Sequence, residues 1–195
     1  MKTTVILGTA HGSNVAGKRS PDGRLREYLY SREVCRRVRD ALVARGVRCV
    51  IDIESDREPS LRERVRLVNR LCREHGECLY VSIHNNAAGS DGRWHDACGF
   101  AVMVAPNASQ CSRRLATTFH CNAVARGLQG NRRYPSSGYY EQSLAVCRDT
   151  VCPAVLTENL FQDNQADVDF LLSPAGMHTI VDLHIASITE YLNEP

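Results

Sequence analysis

The sequence predicts a single α/β domain in which helices flank a mostly parallel, twisted sheet. Apolar runs of strand length alternate with longer stretches of helical periodicity along the chain. This alternation is not interrupted by a Pro/Ser-rich linker, an internal repeat or a low-complexity tract. The length of 195 residues allows one domain with a substantial core. Because strand–helix alternation is typical of parallel sheets, we expect one domain over residues 1–195.

The predicted elements follow one another in a regular order. Strands are expected at residues 3–9, 47–53, 78–83, 99–105 and 153–158. Helices are expected at about residues 26–45, 60–75, 109–127 and 174–192. Gly46 and Gly76 are placed to end the first two helices, and Ser109 is a candidate cap for the third. A stretch rich in Gly, Pro and Tyr predicts a loop over 128–142.

Composition and charge exclude several classes of protein. The formal net charge is only +2, and the arginines alternate with acids at helical spacing, which is typical of solvated helix faces. We therefore expect no nucleic-acid partner. No segment approaches the length of a transmembrane helix, so no membrane insertion is expected. The N-terminal "MKTTVILGTAHG" is too briefly apolar for a signal-peptide core, which favours a first strand and synthesis in the cytoplasm without a recognisable signal.

The cysteines favour free thiols over a disulfide scaffold. There are nine, an odd number, and none has CxxC spacing. Most lie within apolar patterns, as Cys49 does in "VRCVIDI" and Cys121 in "ATTFHCNAVA". We expect most of them to be buried and free, in a protein made in a reducing compartment, with none at a metal site.

Three predicted strands finish at a side chain that binds metals or transfers protons. His11 follows the first strand, His84 follows the third, and Glu158 ends the strand at 153–158. The carboxyl ends of parallel strands lie along one edge of a sheet, where α/β proteins carry their active sites. A histidine at a strand end is more often structural than a ligand, and periodicity does not show that the three ends converge. Together they nevertheless favour a site.

A further carboxylate completes a plausible zinc site. Glu27 opens the first predicted helix and faces the strand ends from one side. Two histidines and one carboxylate are a common zinc ligand set in hydrolases, with a fourth position open for water. A carboxylate that does not bind the metal can take the proton of that water and pass it to a leaving group. Glu158 suits that task, whereas His75 and His184 are interpreted as surface or packing residues.

Several segments together resemble the zinc-dependent N-acetylmuramoyl-L-alanine amidases of the type 3 class. The opening "TAHGS" is similar to a family strand ending in GHGG, and "SIHNNA" matches SIHxNA. The segment "DREPSLRERVRLVN" matches a D-x4-L-x2-R-x4-N pattern, and "AVCRDTVCPAVLTENLF" is similar to VLR-x4-PAVLVELGF. A glutamate that begins a helix ending at a glycine nineteen residues later also belongs to the pattern; Glu27 and Gly46 fit this register and Glu33 does not. The resemblance covers essentially the whole chain.

The resemblance implies residue roles and a reaction. It assigns His11, Glu27 and His84 as Zn²⁺ ligands and Glu158 as the catalytic acid/base. The implied reaction is hydrolysis of the amide between N-acetylmuramic acid and L-alanine in peptidoglycan, at the bacterial cell wall. Two departures from the pattern fall near the site. "ENLF" replaces ELGF, and the arginine usual before the Asp56 segment is missing.

Two further features are candidates for contact with the substrate. Asn86, two residues after His84, is either a substrate-binding residue or a turn residue at the end of the strand. The loop 130–142 carries two arginines and three tyrosines that could meet glycan or the carboxylates of the stem peptide, although a solvated loop is the simpler interpretation. We expect a monomer without a separate wall-binding domain.

Two other functions remain open from the sequence. A zinc carboxypeptidase acting on stem peptides would usually need an arginine to bind the terminal carboxylate, and no motif identifies one. A non-catalytic wall-binding module would be expected to lack a metal ligand or Glu158, and all four residues are present.

Overall fold

The apolar runs form a six-stranded sheet in the computed structural model, which describes residues 3–193. The strands are β1 (Thr4–Thr9), β2 (Cys49–Ile51), β3 (Cys78–Asn86), β4 (Ala101–Val104), β5 (Tyr140–Glu141) and β6 (Ala154–Phe161). Their order across the sheet is β2-β1-β3-β6-β4-β5. Only β4 runs antiparallel to its neighbour β6; the other neighbouring pairs are parallel. The mostly parallel α/β sheet is thus confirmed, while the predicted domain's residues 1, 2, 194 and 195 lie outside the described range.

Helices cover both faces of the sheet. They are α1 (Glu27–Ala44), α2 (Leu61–His75), α3 (Gln110–Ala125), α4 (Ala145–Arg148), α5 (Gln165–Leu172) and α6 (Pro174–Asn193). One apolar cluster joins the sheet to α1, α3, α5 and α6, and a second cluster joins the other face to α2 and α4. Alternate residues of β1, β3 and β4 enter the two clusters, as the pleat of a strand requires. Within residues 3–193, no helix is long and apolar enough to span a lipid bilayer.

The predicted helix ends are borne out by their capping geometry. Gly46 and Gly76 follow α1 and α2 with positive φ angles of 76° and 80°, which glycine adopts without strain. Ser60 and Glu63 form a reciprocal capping box at the start of α2. The Ser109 side chain accepts a hydrogen bond from the backbone N–H of Ser112 and caps α3.

Several predicted boundaries differ from the structure. β3 and β6 continue to Asn86 and Phe161, beyond the predicted ends at 83 and 158, so His84 and Glu158 lie within strands. β2 is shorter than 47–53 and ends at Ile51, and the side chain of the following Asp52 accepts the N–H of Ile53. The helices α4 and α5 were not predicted, and β5 lies inside the predicted loop 128–142.

The cysteines are all free, and five of the nine are buried. Burial raises the pKa of Cys49 and Cys147 to about 12, so these two are neutral thiols near neutral pH. The prediction for Cys121 was wrong, since this residue is exposed. It follows the buried Phe119 by two positions, which places it on the opposite side of α3.

Candidate metal centre and catalytic carboxylate

Three side chains from separate elements converge at the carboxyl edge of the sheet. His11 lies just after β1, Glu27 is the first residue of α1, and His84 lies in β3. Glu27 Oε2 is 3.6 Å from His11 Nε2, and Glu27 Oε1 is 3.0 Å from His84 Nδ1. One potential ligand atom from each residue lies within 4.8 Å of the other two. The structure therefore brings together the three residues that the sequence singled out as metal ligands.

The surroundings of Glu27 fit a cation. Its side chain is only 1 % exposed, and Oε1 accepts a hydrogen bond of 3.1 Å from the backbone N–H of Asn85. Its Oε2 is buried and has no hydrogen-bond partner within residues 3–193, which is costly unless a proton or a metal ion occupies that position. Two imidazole nitrogens and one carboxylate oxygen are donors that Zn²⁺ prefers. The residues present thus fit the metal that the sequence implies.

The protonation states also favour a metal ion. Burial opposes ionisation of Glu27, but the hydrogen bond from His84 and the nearby imidazoles hold the pKa of this carboxyl below its usual range. Burial lowers the pKa of His11 in spite of the adjacent carboxylates. An ionised carboxylate and a neutral imidazole are the forms that bind metals.

Helix α1 presents Glu27 to the site and directs Glu33 to solvent. Glu33 accepts a hydrogen bond of 2.7 Å from Arg37 and lies 3.7 Å from Arg36, and all three side chains are exposed. This i, i+3 and i, i+4 pattern is typical of a solvated helix face. The register that selected Glu27 over Glu33 therefore agrees with the structure.

Glu158 lies beside this cluster. It is paired with His84 in the parallel register of β6 and β3, so both side chains project from the same face of the sheet. Its Oε2 is buried and has no hydrogen-bond partner in the described part of the chain, although the residue as a whole is partly exposed. Burial raises the pKa of Glu158 to about 7. A cavity of about 230 Å³ is lined by His11, His84 and Glu158 together with residues of α2 and α4.

Two asparagines explain why the strands extend beyond their predicted ends. Asn85 Nδ2 donates to the backbone carbonyl of Asn159 at 2.6 Å, and Asn159 Nδ2 donates to the carbonyl of His84 at 2.9 Å. These bonds link β3 and β6 where the pairing register shifts between His84 and Asn86. Asn159 belongs to the departure from the family pattern, as does Leu160, whose φ of 62° is unusual for a bulky residue.

Asn86 is built into the end of β3. Its Oδ1 accepts the backbone N–H of Ala87 at 2.9 Å, and its carbonyl accepts the N–H of Gln162 at 2.8 Å. Its Nδ2 is buried and has no hydrogen-bond partner among residues 3–193. Asn86 thus has a local structural role and an unused donor, and its contact with substrate stays a prediction.

Arg32 was missed by the sequence reasoning, which took the arginines of α1 as solvated. Its side chain is 2 % exposed and donates to the backbone carbonyls of Ala10, His11 and Ser55 at 2.6–3.2 Å. It therefore ties the end of β1 to the loop that follows β2. The alternation of arginines with acids in α1 does not indicate that Arg32 is buried, because the groups that accept its hydrogen bonds are backbone carbonyls of distant segments.

Both histidines of the cluster also have a partner at the ring nitrogen that does not face Glu27. His84 Nε2 lies 3.1 Å from Ser82 Oγ, and His11 Nδ1 lies 3.2 Å from Glu58 Oε1. Ser82 precedes His84 by two residues in β3, so the period of a strand would have placed both on one face. Glu58 lies in a loop 47 positions away from His11, and no motif predicts this contact.

Two larger depressions are also present on the surface. One of about 660 Å³ follows α2 and has Glu58 among its lining residues. Another of about 400 Å³ lies between segments 16–21 and 87–93, with Gln162 and Asp163 among its lining residues. Neither contains the histidines, so the smaller cavity beside Glu158 is the one that adjoins the candidate metal ligands.

The fold and the site define an α/β enzyme with a candidate metal centre at the carboxyl edge of its sheet. The family model described as N-acetylmuramoyl-L-alanine amidase matches residues 5–190. The chain therefore belongs to this family of metal-dependent hydrolases and is an amidase.

Known proteins agree with this assignment. The chain is 26% identical over 194 residues to the endolysin of Bacillus phage SPP1, a match that covers 99% of this chain and 67% of that protein. The N-acetylmuramoyl-L-alanine amidase of Clostridium difficile 630 has a TM-score of 0.84 and 22% identity, with 98% of this chain and 97% of that chain covered. The amidase Ami1 of Mycobacterium smegmatis has a TM-score of 0.82 and 22% identity, with coverage of 97% and 96%. These structures share the fold.

Proposed function

We propose that the chain is a zinc amidase that hydrolyses the bond between N-acetylmuramic acid and the L-alanine of the stem peptide in peptidoglycan. In this proposal His11, Glu27 and His84 hold Zn²⁺, and Glu158 transfers the proton. The observation that carries it is the buried Oε2 of Glu27, which has no hydrogen-bond partner among the described residues and lies between two histidines and beside a second carboxylate. A zinc ion in this position supplies a Lewis acid that polarises a carbonyl oxygen and acidifies water.

Glu158 has the position and the proton affinity of an acid/base. As a carboxylate it takes a proton from the water that attacks the amide carbonyl carbon, and it then delivers this proton to the departing amine of L-alanine. Both transfers are efficient when the pKa of the group lies near the working pH, and burial raises the pKa of Glu158 to about 7. A cation beside Glu158 would favour its ionised form, which is the form that starts the reaction.

The surroundings of the cluster suit an extended polymer. The depressions along α2 and beside segment 87–93 would offer room for glycan and peptide near the site. Arg132, in the loop 130–142, lies over the rings of Tyr140 and Phe161 at 5.1 and 5.8 Å. Arg132 also lies close enough to Glu158 for its positive charge to oppose the rise that burial causes in the pKa of that carboxyl, so this loop is a candidate for contact with substrate.

Mass spectrometry of the products tests the proposal. Purified peptidoglycan is digested with the protein as isolated, after chelation, and after zinc is added back. We expect intact stem peptides with a new L-alanine amine, released only when zinc is present. Free terminal amino acids would instead indicate a carboxypeptidase, and bound but unaltered glycan strands would indicate a wall-binding module.

A further inference from the structure

We propose that Glu58 is a positioning residue for the metal centre, and that it holds His11 in the tautomer whose Nε2 is free to bind the ion. The inference rests on the proposed function, since it concerns the same site. Glu58 lies outside the positions that carry the resemblance to the amidases, which in this segment are Asp56, Leu61, Arg64 and Asn69.

The His11 ring lies between two carboxylates that contact different nitrogens. Nδ1 is 3.2 Å from Glu58 Oε1 and 3.4 Å from Glu58 Oε2, whereas Nε2 is 3.6 Å from Glu27 Oε2. A neutral imidazole carries one N–H, and its other nitrogen is the acceptor. A carboxylate at Nδ1 favours the proton there, which leaves the Nε2 lone pair directed toward Glu27. Carboxylates in this position orient the ring and make the metal-binding nitrogen more basic.

The backbone segments that carry His11 and Glu58 approach each other closely. A Cβ atom at Gly12 would lie 2.2 Å from the backbone nitrogen of Glu58, so only glycine allows the two segments to meet. The N–H of Ser13 donates to the carbonyl of Asp56 at 2.6 Å, and the N–H of Glu58 donates to Asn14 Oδ1 at 2.8 Å. Since these bonds hold the segment after His11 against the loop that carries Glu58, Glu58 is placed by the fold.

The contact differs from a solvated surface ion pair. The side chains of His11 and Glu58 are only 18 % and 21 % exposed, so solvent screens them less than an open surface pair. The corresponding nitrogen of His84 has a neutral partner, Ser82 Oγ. The two histidines of the cluster thus differ. Of these two, only His11 has a charged partner, among the described residues, at the ring nitrogen that does not face Glu27. Glu58 contacts the side of the ring away from Glu27, which argues against a role as a ligand.

Metal affinity provides the first test. Zinc binding by the full chain is measured by competition with a chelator for the wild type, Glu58→Ala, Glu58→Gln and Glu54→Gln. We expect Glu58→Ala to weaken zinc binding by roughly 10–100-fold, and Glu58→Gln to lose less because its amide oxygen still accepts from Nδ1–H. Glu54→Gln is the matched control: it lies in the same loop, is 73 % exposed and has one weak contact, 3.7 Å from Arg39, so its affinity should not change.

The tautomer of His11 gives a readout that a general loss of structure would not produce. In ¹⁵N-labelled, metal-free protein, the imidazole nitrogen shifts should show the proton of His11 on Nδ1. Glu58→Ala should move the population toward Nε2–H, while the His84 signals stay in place. Glu58→Gln should retain the wild-type tautomer.

The outcomes separate this inference from the proposed function. Zinc affinity of Glu58→Ala within about twofold of the wild type, or an unchanged His11 tautomer, would overturn the positioning role. Complete loss of zinc stoichiometry in that variant, with the tautomer unchanged, would overturn it in favour of a ligand role. A wild-type protein that binds no zinc would refute the proposed metal centre, and the tautomer measurement on the same metal-free protein would still decide the role of Glu58.

Discussion

Glu158 and His84 are direct partners in the parallel pairing of β6 with β3. Neighbouring strands are about 4.8 Å apart, so the backbone of the sheet fixes the spacing between a candidate metal ligand and the candidate acid/base. The Asn85–Asn159 bonds extend this pairing beyond the two residues. Neither side chain depends on a mobile loop for its position.

The first prediction separates proton transfer from metal binding. Glu158→Gln keeps the shape of the side chain and removes the titrating carboxylate. Because general acid–base catalysis contributes about 10²–10⁴-fold, turnover on muropeptides should fall by at least about 10²-fold. Zinc content, measured on the same sample, should stay at the wild-type level.

His84→Ala is the contrasting variant for this test. It removes one of three proposed ligands, and the two that remain should not retain zinc, so metal and activity should be lost together. Near-normal cleavage by Glu158→Gln would contradict the proposed proton transfer. Loss of zinc from Glu158→Gln would indicate instead that this carboxylate binds the metal.

The second prediction concerns Gly12. In Gly12→Ala the new Cβ would lie 2.2 Å from the Glu58 nitrogen and 2.6 Å from the Asp56 carbonyl oxygen, so the loop must move away. We expect the free energy of unfolding to fall by about 1–3 kcal/mol and zinc binding to weaken as in Glu58→Ala. Gly17→Ala is the control, because apart from its chain neighbours no described residue lies within 4 Å of its added Cβ. Equal zinc affinities for the two alanine variants would argue against this coupling.

The third prediction uses the strained backbone of Leu160. This residue is 4 % exposed and has a φ of 62°. Leu160→Ala should lower the free energy of unfolding by about 2–5 kcal/mol through the lost burial. Leu160→Gly should be the more stable of the two variants by about 1 kcal/mol, since glycine adopts positive φ without strain.

The same pair of substitutions at Leu156, buried in the same strand without a positive φ, provides the reference. There the glycine variant should be the less stable by about 0.5–1 kcal/mol. Urea unfolding of the four variants measures both differences. The same order of stability at both positions would show that the Leu160 backbone carries no such strain.

The fourth prediction concerns His184 in α6. Its Nδ1–H donates to the Ile180 carbonyl at 2.8 Å, its Nε2 lies 3.0 Å from Thr157 Oγ1, and burial lowers its pKa to about 4. Above the unfolded pKa of about 6.5 the ring is neutral in both states and pH has no effect through this group. Between about 6.5 and 4 the unfolded chain takes up a proton that the folded protein does not, so stability falls as pH falls, by up to about 3 kcal/mol.

His184→Gln removes this titration while keeping hydrogen-bonding groups. Unfolding by urea at pH 7.5 and pH 5 should show a smaller loss of stability for the variant than for the wild type. An equal loss in both proteins would mean that other groups account for the whole pH dependence.

Much of the fold and the positions of the candidate site were predictable from local pattern. Apolar runs and helical periodicity located the principal strands and helices, and parallel strands must place their carboxyl ends along one edge. The predictions that failed concern features that depend on contacts between distant segments. The extension of β3 and β6 depends on side-chain bonds of Asn85 and Asn159, and β2 ends just before Asp52, whose side chain accepts the N–H of Thr9. Arg32 has the local pattern of a solvated arginine, yet it is buried among backbone carbonyls of other segments.

The reversed direction of β4 has a consequence for how this enzyme can diversify. Because β4 runs opposite to β6, helix α3 returns the chain to the edge that carries the site, and residues 126–139 lie along that edge. The segment is anchored where Gly99 and Gly130 meet. A Cβ atom added at Gly99 would lie within 2.4 Å of the Gly130 backbone, and one added at Gly130 would lie within 2.4 Å of the Cys98 backbone. The turn between this anchor and β5 can therefore be replaced by one of different length or charge. Such changes would leave β1, β3 and β6, and with them the proposed site, in place.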